Sequence, residues 1–89
     1  MKNEGVISLA KGDKYSLLLN HLRASGDEII VLSFSQVEQI VGFNLPESAY
    51  TYPPWWANDV THSQAIAWLD AGYYSQADIA SEKVIFRKG

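Results

Sequence analysis

One segment, residues 45–58, constrains the fold of this chain more than any other. It contains all three prolines, two of the three tryptophans and two of the five tyrosines. A segment interrupted by proline in this way cannot form one long helix, because proline lacks an N–H donor and clashes with the preceding turn. So much aromatic area in a small domain either fills the core or forms a contact surface. We call this segment the aromatic loop.

The length and composition predict a small globular protein. The chain has 89 residues, of which 47% are hydrophobic and 19% are charged. We expect residues 1–12 to form a flexible N-terminal arm and residues 13–89 to form a single domain. A chain of this size buries only about 60% of its unfolded surface. Its stability is therefore marginal, and a partner or a homodimer would add to it.

The charge and the cysteine content of the chain bear on three questions: nucleic-acid binding, thiolate metal sites and the cellular compartment. Seven basic and ten acidic residues give a net charge of −3, which argues against strong non-specific binding to nucleic acid. The chain has no cysteine, so disulfides and thiolate zinc sites are excluded, and we expect a cytoplasmic protein. We expect neither a signal peptide nor a membrane-spanning segment, because no apolar run is long enough.

The first half of the chain shows two helical patterns around one strand. An apolar stripe of period 3.6 predicts a first helix over Lys14–Ala24, with Asp13 as its N-cap and a stop at Ser25-Gly26. The β-branched run Ile29–Leu32 predicts a short, buried strand. A second helix follows, for which Ser33 and Gln36 have the spacing of a capping box, and Gly42 ends it.

The second half predicts another helix and a hairpin. Pro46 favours a short helical turn, which Pro53-Pro54 must end. Thr61 and Gln64 again have capping-box spacing and predict a third main helix over His62–Ala71. Alternating residues predict a hairpin of Tyr73–Ile79 and Lys83–Arg87, onto which the earlier strand can pair.

This order predicts an α+β, winged-helix-like domain: three main helices, a short strand and a C-terminal β-hairpin that forms the wing. The helical stripes and the hairpin alternation together predict one core. Its expected members are Leu18, Leu22, Val37, Ile40, Trp68, Leu69 and Phe86.

Several short motifs resemble those of a small uncharacterised bacterial domain family. They run from about Tyr15 to Arg87, nearly the whole domain, and are specific only in combination. The resemblance implies a stand-alone or fused module, sometimes encoded near nucleases or mobile elements, with no catalytic residues to transfer. The double proline departs from the family's pattern. The motifs are Leu32-Ser33-Phe34, Gly42, Leu45-Pro46-x-Ser48-Ala49, Trp55-Trp56-x-Asn58, Ala67-Trp68-x-x-Ala71-Gly72-Tyr73 and Val84-x-Phe86-Arg87.

Catalytic and metal chemistry find little support in the sequence. His21 and His62 are the only histidines, and neither has a carboxylate or a nucleophile at a recognisable spacing. Without cysteine or a His-x-x-x-His motif, they make a poor zinc site. The glycines stand singly, so there is no phosphate-binding loop. We expect no enzyme activity, no metal and no cofactor.

The candidate contact residues form three groups. Trp55 and Trp56 are neighbours and point in different directions, so we expect one in the core. The other should form a surface patch with Tyr50 or Tyr52. Asn58 and His62 precede the third helix, where an amide side chain can read adenine and a helix N-terminus can hold phosphate. Lys83 and Arg87 lie on the hairpin, where they either contact phosphates or serve solubility. The full set is Tyr50, Tyr52, Trp55, Trp56, Asn58, His62, Lys83 and Arg87.

Two functions remain open at this point. The first is a nucleic-acid-binding module, with DNA favoured, that uses the third helix, the aromatic loop and the hairpin wing; the helix order and the family resemblance favour it. The second is a protein-interaction module, such as a regulator or a phage-related inhibitor, in which the Trp/Tyr patch is the interface hot spot. The acidic charge balance favours the second.

Overall fold

The described part of the chain, residues 13–89 of a computed structural model, combines helices with one antiparallel sheet. The predicted N-terminal arm, residues 1–12, lies outside the described residues. Short 3₁₀ turns occur at Asp13–Tyr15 and Pro53–Trp56. The result confirms a mixed α+β domain. The regular elements are α1 (Ser16–Ser25), β1 (Ile29–Ser33), α2 (Phe34–Val41), α3 (Glu47–Thr51), α4 (Ser63–Asp70), β2 (Tyr73–Asp78) and β3 (Lys83–Lys88).

The helix ends show where local sequence signals suffice. The capping box of α2 is formed as predicted: Gln36 N donates to Ser33 Oγ (3.0 Å), and Ser33 N donates to Gln36 Oε1 (2.8 Å). The stop of α1 is also confirmed, since Gly26 has φ 67° and its N–H bonds to Leu22 O. The predicted start of α1 is wrong, because a 3₁₀ turn precedes the helix and Tyr15 occupies the N-cap position.

The sheet has three strands in the order β1-β3-β2, and both pairings are antiparallel. The prediction that the early strand pairs onto the C-terminal hairpin is therefore confirmed. The register places Ile85 of the central strand opposite Val31 on one side and Gln76 on the other. Side chains at these positions point to the same face of the sheet.

One face of the sheet packs against the helices and the other faces solvent. Val84 and Phe86 of the central strand are fully buried, whereas Ile29 and Val31 of β1 are 52% and 54% exposed. The expectation of a buried β1 is wrong for these residues, which alternate with buried ones along the strand. A short β-branched run fits a strand buried on one face as well as one buried on both, because pairing partners decide the outcome.

The core agrees with the predicted stripes in its centre and departs from them at its margin. Leu18, Leu22, Val37, Trp68 and Phe86 are buried, which confirms those five positions. Ile40 and Leu69 are only partly buried against the core.

Within residues 13–89, none of the helices combines the length and the apolar character that crossing a bilayer requires.

Candidate interaction surface

The aromatic loop turns inward, with Trp56 at its deepest point. Only 3% of Trp56 is exposed. Its ring stacks on the rings of Phe34 and Trp68, with centroid distances of 4.8 Å and 5.8 Å. Its Nε1 donates a hydrogen bond to the Ala49 carbonyl oxygen at 2.8 Å. Trp56 is thus a core residue, and the prediction that the two adjacent tryptophans differ in burial is confirmed.

The other aromatic residues of the loop lie closer to the surface. Trp55 is half-buried, with its edge against Tyr15 at 6.2 Å. Tyr50 is half-buried, and its ring centroid lies 5.3 Å from that of Phe34. Burial is the main cause that raises the pKa of Tyr50, and a hydrogen bond with Glu38 and the negative charge of Glu38 raise this pKa further. Tyr52 is 58% exposed. Of the four aromatic candidates, Tyr52 alone has most of its side chain in solvent.

Asn58 connects the aromatic loop to the edge of β2. Its Oδ1 accepts from Ser75 N (2.8 Å) and from Trp68 Nε1 (2.9 Å), whereas the Ser75 hydroxyl donates to the Trp56 carbonyl. Its Nδ2 donates to Ser75 O at 3.1 Å. The side-chain amide thereby replaces a neighbouring strand for Ser75. Asn58 has a structural role that the sequence analysis missed.

The segment before α4 differs from the prediction. The N-cap residue of α4 is His62, with no side-chain hydrogen bond to the helix. Thr61 bonds to Asp59 instead, and Gln64 Nε2 donates to the Trp55 carbonyl at 2.9 Å. The predicted Thr61–Gln64 capping box is therefore wrong, because Gln64 is drawn into the core contact with the aromatic loop.

The same segment yields a titration prediction. The pKa of the Asp59 carboxyl lies below its ordinary value, chiefly because it accepts hydrogen bonds from Thr61 N (2.9 Å) and Thr61 Oγ1 (2.8 Å). A depressed folded-state pKa gives a stabilisation that is complete at neutral pH and is lost as the pH falls through that pKa. An NMR titration of the Asp59 carboxyl carbon should show the depression, and Thr61→Ala should reduce it. A pKa at or above the ordinary value would contradict this assignment.

Most of α4 is buried. Gln64, Ala65, Ala67 and Trp68 are buried, and only Ser63 and Asp70 are exposed. His62 is half-buried, and its Nδ1 is buried without a hydrogen-bond partner in residues 13–89. This helix leaves few side chains that could reach a nucleic-acid groove.

Three of the six large apolar side chains that are exposed in the described residues lie on one face of the sheet, which we call the outer sheet face. We define it by Ile29 and Val31 of β1, Tyr74 and Gln76 of β2, and Lys83, Ile85 and Arg87 of β3. Ile29, Val31 and Tyr74 are each more than half exposed. A shallow depression of about 450 Å³ lies on this face, between Val31, Ile85 and the hairpin turn. The sequence predicts only Lys83 and Arg87 as contact residues on this face, because its apolar run at Ile29–Leu32 indicates a buried strand.

The two cations of this face have no partner in the described part of the chain. Lys83 and Arg87 flank Ile85 on the central strand, and both are exposed. Asp78 lies opposite Lys83 in the register. Its carboxylate, however, accepts hydrogen bonds from Ala80 N (3.1 Å) and Ser81 Oγ (2.9 Å) in the hairpin turn. The face thus carries two cations and one engaged carboxylate, whereas the whole chain has a net charge of −3.

The predicted contact residues therefore separate into two groups. Six of the eight belong to the aromatic loop or to the segment that leads into α4: Tyr50, Tyr52, Trp55, Trp56, Asn58 and His62. Lys83 and Arg87 lie on the opposite, outer face. In residues 13–89, no cluster of three or more histidine, aspartate or glutamate side chains is placed to hold a metal ion.

Comparison with known proteins adds a family and nothing more specific. A family model described as a domain of unknown function (DUF7662) matches residues 15–89. No curated protein and no solved structure matches the chain. The match spans α1 to β3, so the family covers the complete described fold, and no residue role transfers from a protein of known activity.

Proposed function

We propose that this chain, which belongs to the DUF7662 family, is a non-catalytic protein-interaction module that binds an acidic partner segment on its outer sheet face. One observation carries the proposal: Ile29, Val31 and Tyr74, each more than half exposed, are gathered on a single face. Clustered exposed apolar side chains mark interaction sites, whereas single ones do not.

The chemistry of the face favours a protein over a nucleic acid. Its centre is aliphatic, with Val31 beside Ile85. Bases stack on aromatic rings, and Tyr74 is the one aromatic ring of the face. Aliphatic side chains instead pack against the apolar side chains of a protein partner. The chain's net charge of −3 opposes long-range attraction to any polyanion, and most strongly to the dense charge of a phosphate backbone.

The charges of the face determine which protein segment fits. Lys83 and Arg87 lie on either side of Ile85 along the central strand, two residues away in each direction. A partner segment with apolar residues between acidic ones places its carboxylates near these cations and its apolar side chains over Ile85 and Val31. Such complementarity raises the association rate and selects the register of the partner.

Nucleic-acid binding is the second candidate, and one observation favours it. The sheet order β1-β3-β2, with helices between β1 and the hairpin, is compatible with a winged helix in which the β2–β3 hairpin is the wing. Against it, the helix before the hairpin is largely buried, and the hairpin turn carries Asp78 and Glu82.

Peptide selection with matched variants tests the proposal. Peptides selected from a random library by the purified full chain should combine acidic and apolar residues. The double change Lys83→Gln with Arg87→Gln should weaken their binding by about tenfold. Lys14→Gln is the control, because Lys14 is an exposed cation beside the Phe43 ring, away from the sheet. Raising the salt concentration should weaken the binding of the acidic peptides, because salt screens their attraction to the two cations.

Two results would contradict the proposal. One is the selection of peptides whose binding is unaffected by the double change. The other is tight binding of labelled duplex or single-stranded oligonucleotides that is lost in the same variant. The loss of oligonucleotide binding, together with a steep salt dependence, would establish the second candidate instead.

A further inference from the structure

Within residues 13–89, the backbone of β1 pairs with another strand along one edge only, the edge toward β3. Lys88 N donates to Glu28 O, and Phe34 N donates to Glu82 O, both at 2.8 Å. With Ile30 opposite Phe86 in the same register, the even-numbered residues of this strand point their N–H and C=O groups toward β3. The same groups of Ile29 and Val31 therefore point away from the sheet. No other residue of the described range hydrogen-bonds to them.

The opposite edge of the sheet is protected in a way that this edge is not. On β2 the outward N–H and C=O of Ser75 are both bonded by the Asn58 side chain. Sheet edges in monomeric proteins are usually protected by charges, proline, bulges or a covering segment. Between Glu28 and Ser33, β1 has neither a charge nor a proline. Its edge also carries the two exposed apolar side chains of Ile29 and Val31.

We propose that two copies of this chain associate through their β1 edges as an antiparallel, symmetric pair. In this register Ile29 lies opposite Val31 of the second copy, and each such pair exchanges two N–H···O=C hydrogen bonds. The symmetry axis generates two equivalent pairs, so the outward groups of both residues are satisfied in both copies.

A second copy fits this edge better than an unrelated strand because the segment is self-complementary. Glu28 lies opposite Leu32 of the second copy in this register, so like charges are not brought face to face. The side chains of Ile29 and Val31 come into contact across the pair, on the solvent side of the sheet. The result is one continuous six-stranded sheet. This inference does not depend on the proposed function, because the β2 and β3 residues of the outer sheet face, including Lys83 and Arg87, stay open in the pair.

Sedimentation of the full chain tests the pairing. From micromolar to millimolar concentration, the wild-type mass should rise from 9.9 kDa toward twice that value. Val31→Pro should weaken self-association by about tenfold or more. This change removes an outward N–H and leaves the ladder to β3 intact, and proline is tolerated at such edge positions. Val31→Thr keeps the N–H and should still associate.

Two further measurements keep the test decisive if the proline variant does not fold. Val31→Lys introduces an edge charge that opposes pairing. Leu17→Lys is its matched control, since Leu17 is 53% exposed and Val31 is 54% exposed. Amide exchange at Ile29 and Val31 should slow as the wild-type concentration rises. A chain that stays monomeric overturns the inference, as does association that Val31→Lys leaves unchanged. Slow exchange in a monomer also overturns it, because the chain itself would then cover the edge.

Discussion

Trp56→Ala should destabilise the folded chain by about 3–5 kcal/mol, the range for removal of a buried large aromatic side chain. Trp56 stacks on Phe34 and Trp68, and its indole N–H is bonded to a buried carbonyl. A small domain has a total stability of about 5–15 kcal/mol. The variant should therefore unfold at a much lower temperature and denaturant concentration than the wild type.

The neighbouring tryptophan provides a matched control, because the same change occurs one residue earlier. Trp55 is half-buried, and its carbonyl, which Trp55→Ala retains, makes the bond to Gln64. Trp55→Ala should therefore lose clearly less stability than Trp56→Ala. Urea unfolding followed by circular dichroism measures both. An equal loss of unfolding free energy in the two variants would contradict this prediction, because it would mean that the half-buried Trp55 contributes as much to stability as the buried Trp56.

This pair of residues shows how far sequence reasoning extends. Adjacent residues of one short element point in different directions, which predicts that one tryptophan is buried and its neighbour is not. Which one is buried depends on where the Pro53–Trp56 turn meets Phe34 and Trp68, and those rings come from distant parts of the chain. The local sequence pattern does not predict this tertiary contact.

The two capping-box patterns make the same point. Ser33 and Gln36 form the predicted box, and the Gln36 side chain makes no other hydrogen bond within residues 13–89. Thr61 and Gln64 have the same spacing and do not form one. Asp59 bonds Thr61, and the Trp55 carbonyl attracts Gln64. Whether a capping box forms depends on which other hydrogen-bond partners the fold brings near its side chains, and the local sequence does not show those partners.

The outer sheet face and the β1 edge were missed for a related reason. The run Ile29–Leu32 is apolar throughout, so its periodicity does not separate burial on one face from burial on two. Among residues 13–89, β1 is an edge strand with helices on one side only. That topological fact turns the same residues from expected core into candidate contact surface.

Asn58→Ala should destabilise the chain by about 1–3 kcal/mol, because it removes the acceptor of two part-buried donors, the indole N–H of Trp68 and the N–H of Ser75. Asn58 is exposed, so water can replace part of the lost bonding, and the loss stays below the sum of about 1–3 kcal/mol for each fully buried unsatisfied group. Asn44→Ala is the matched control: Asn44 is exposed and has no side-chain hydrogen bond in the described residues, so its loss should stay within about 0.5 kcal/mol.

A double-mutant cycle identifies the hydrogen bond that matters. Trp68→Phe keeps most of the ring packing and removes the N–H that Asn58 Oδ1 accepts at 2.9 Å. In that background Asn58→Ala should have a smaller effect, because one of the two stranded donors no longer exists. Unfolding free energies of the four proteins should give a coupling of about 0.5–3 kcal/mol. Strict additivity would mean that Asn58 acts through Ser75 alone, as the substitute strand at the edge of β2, and that the indole bond contributes no net stability.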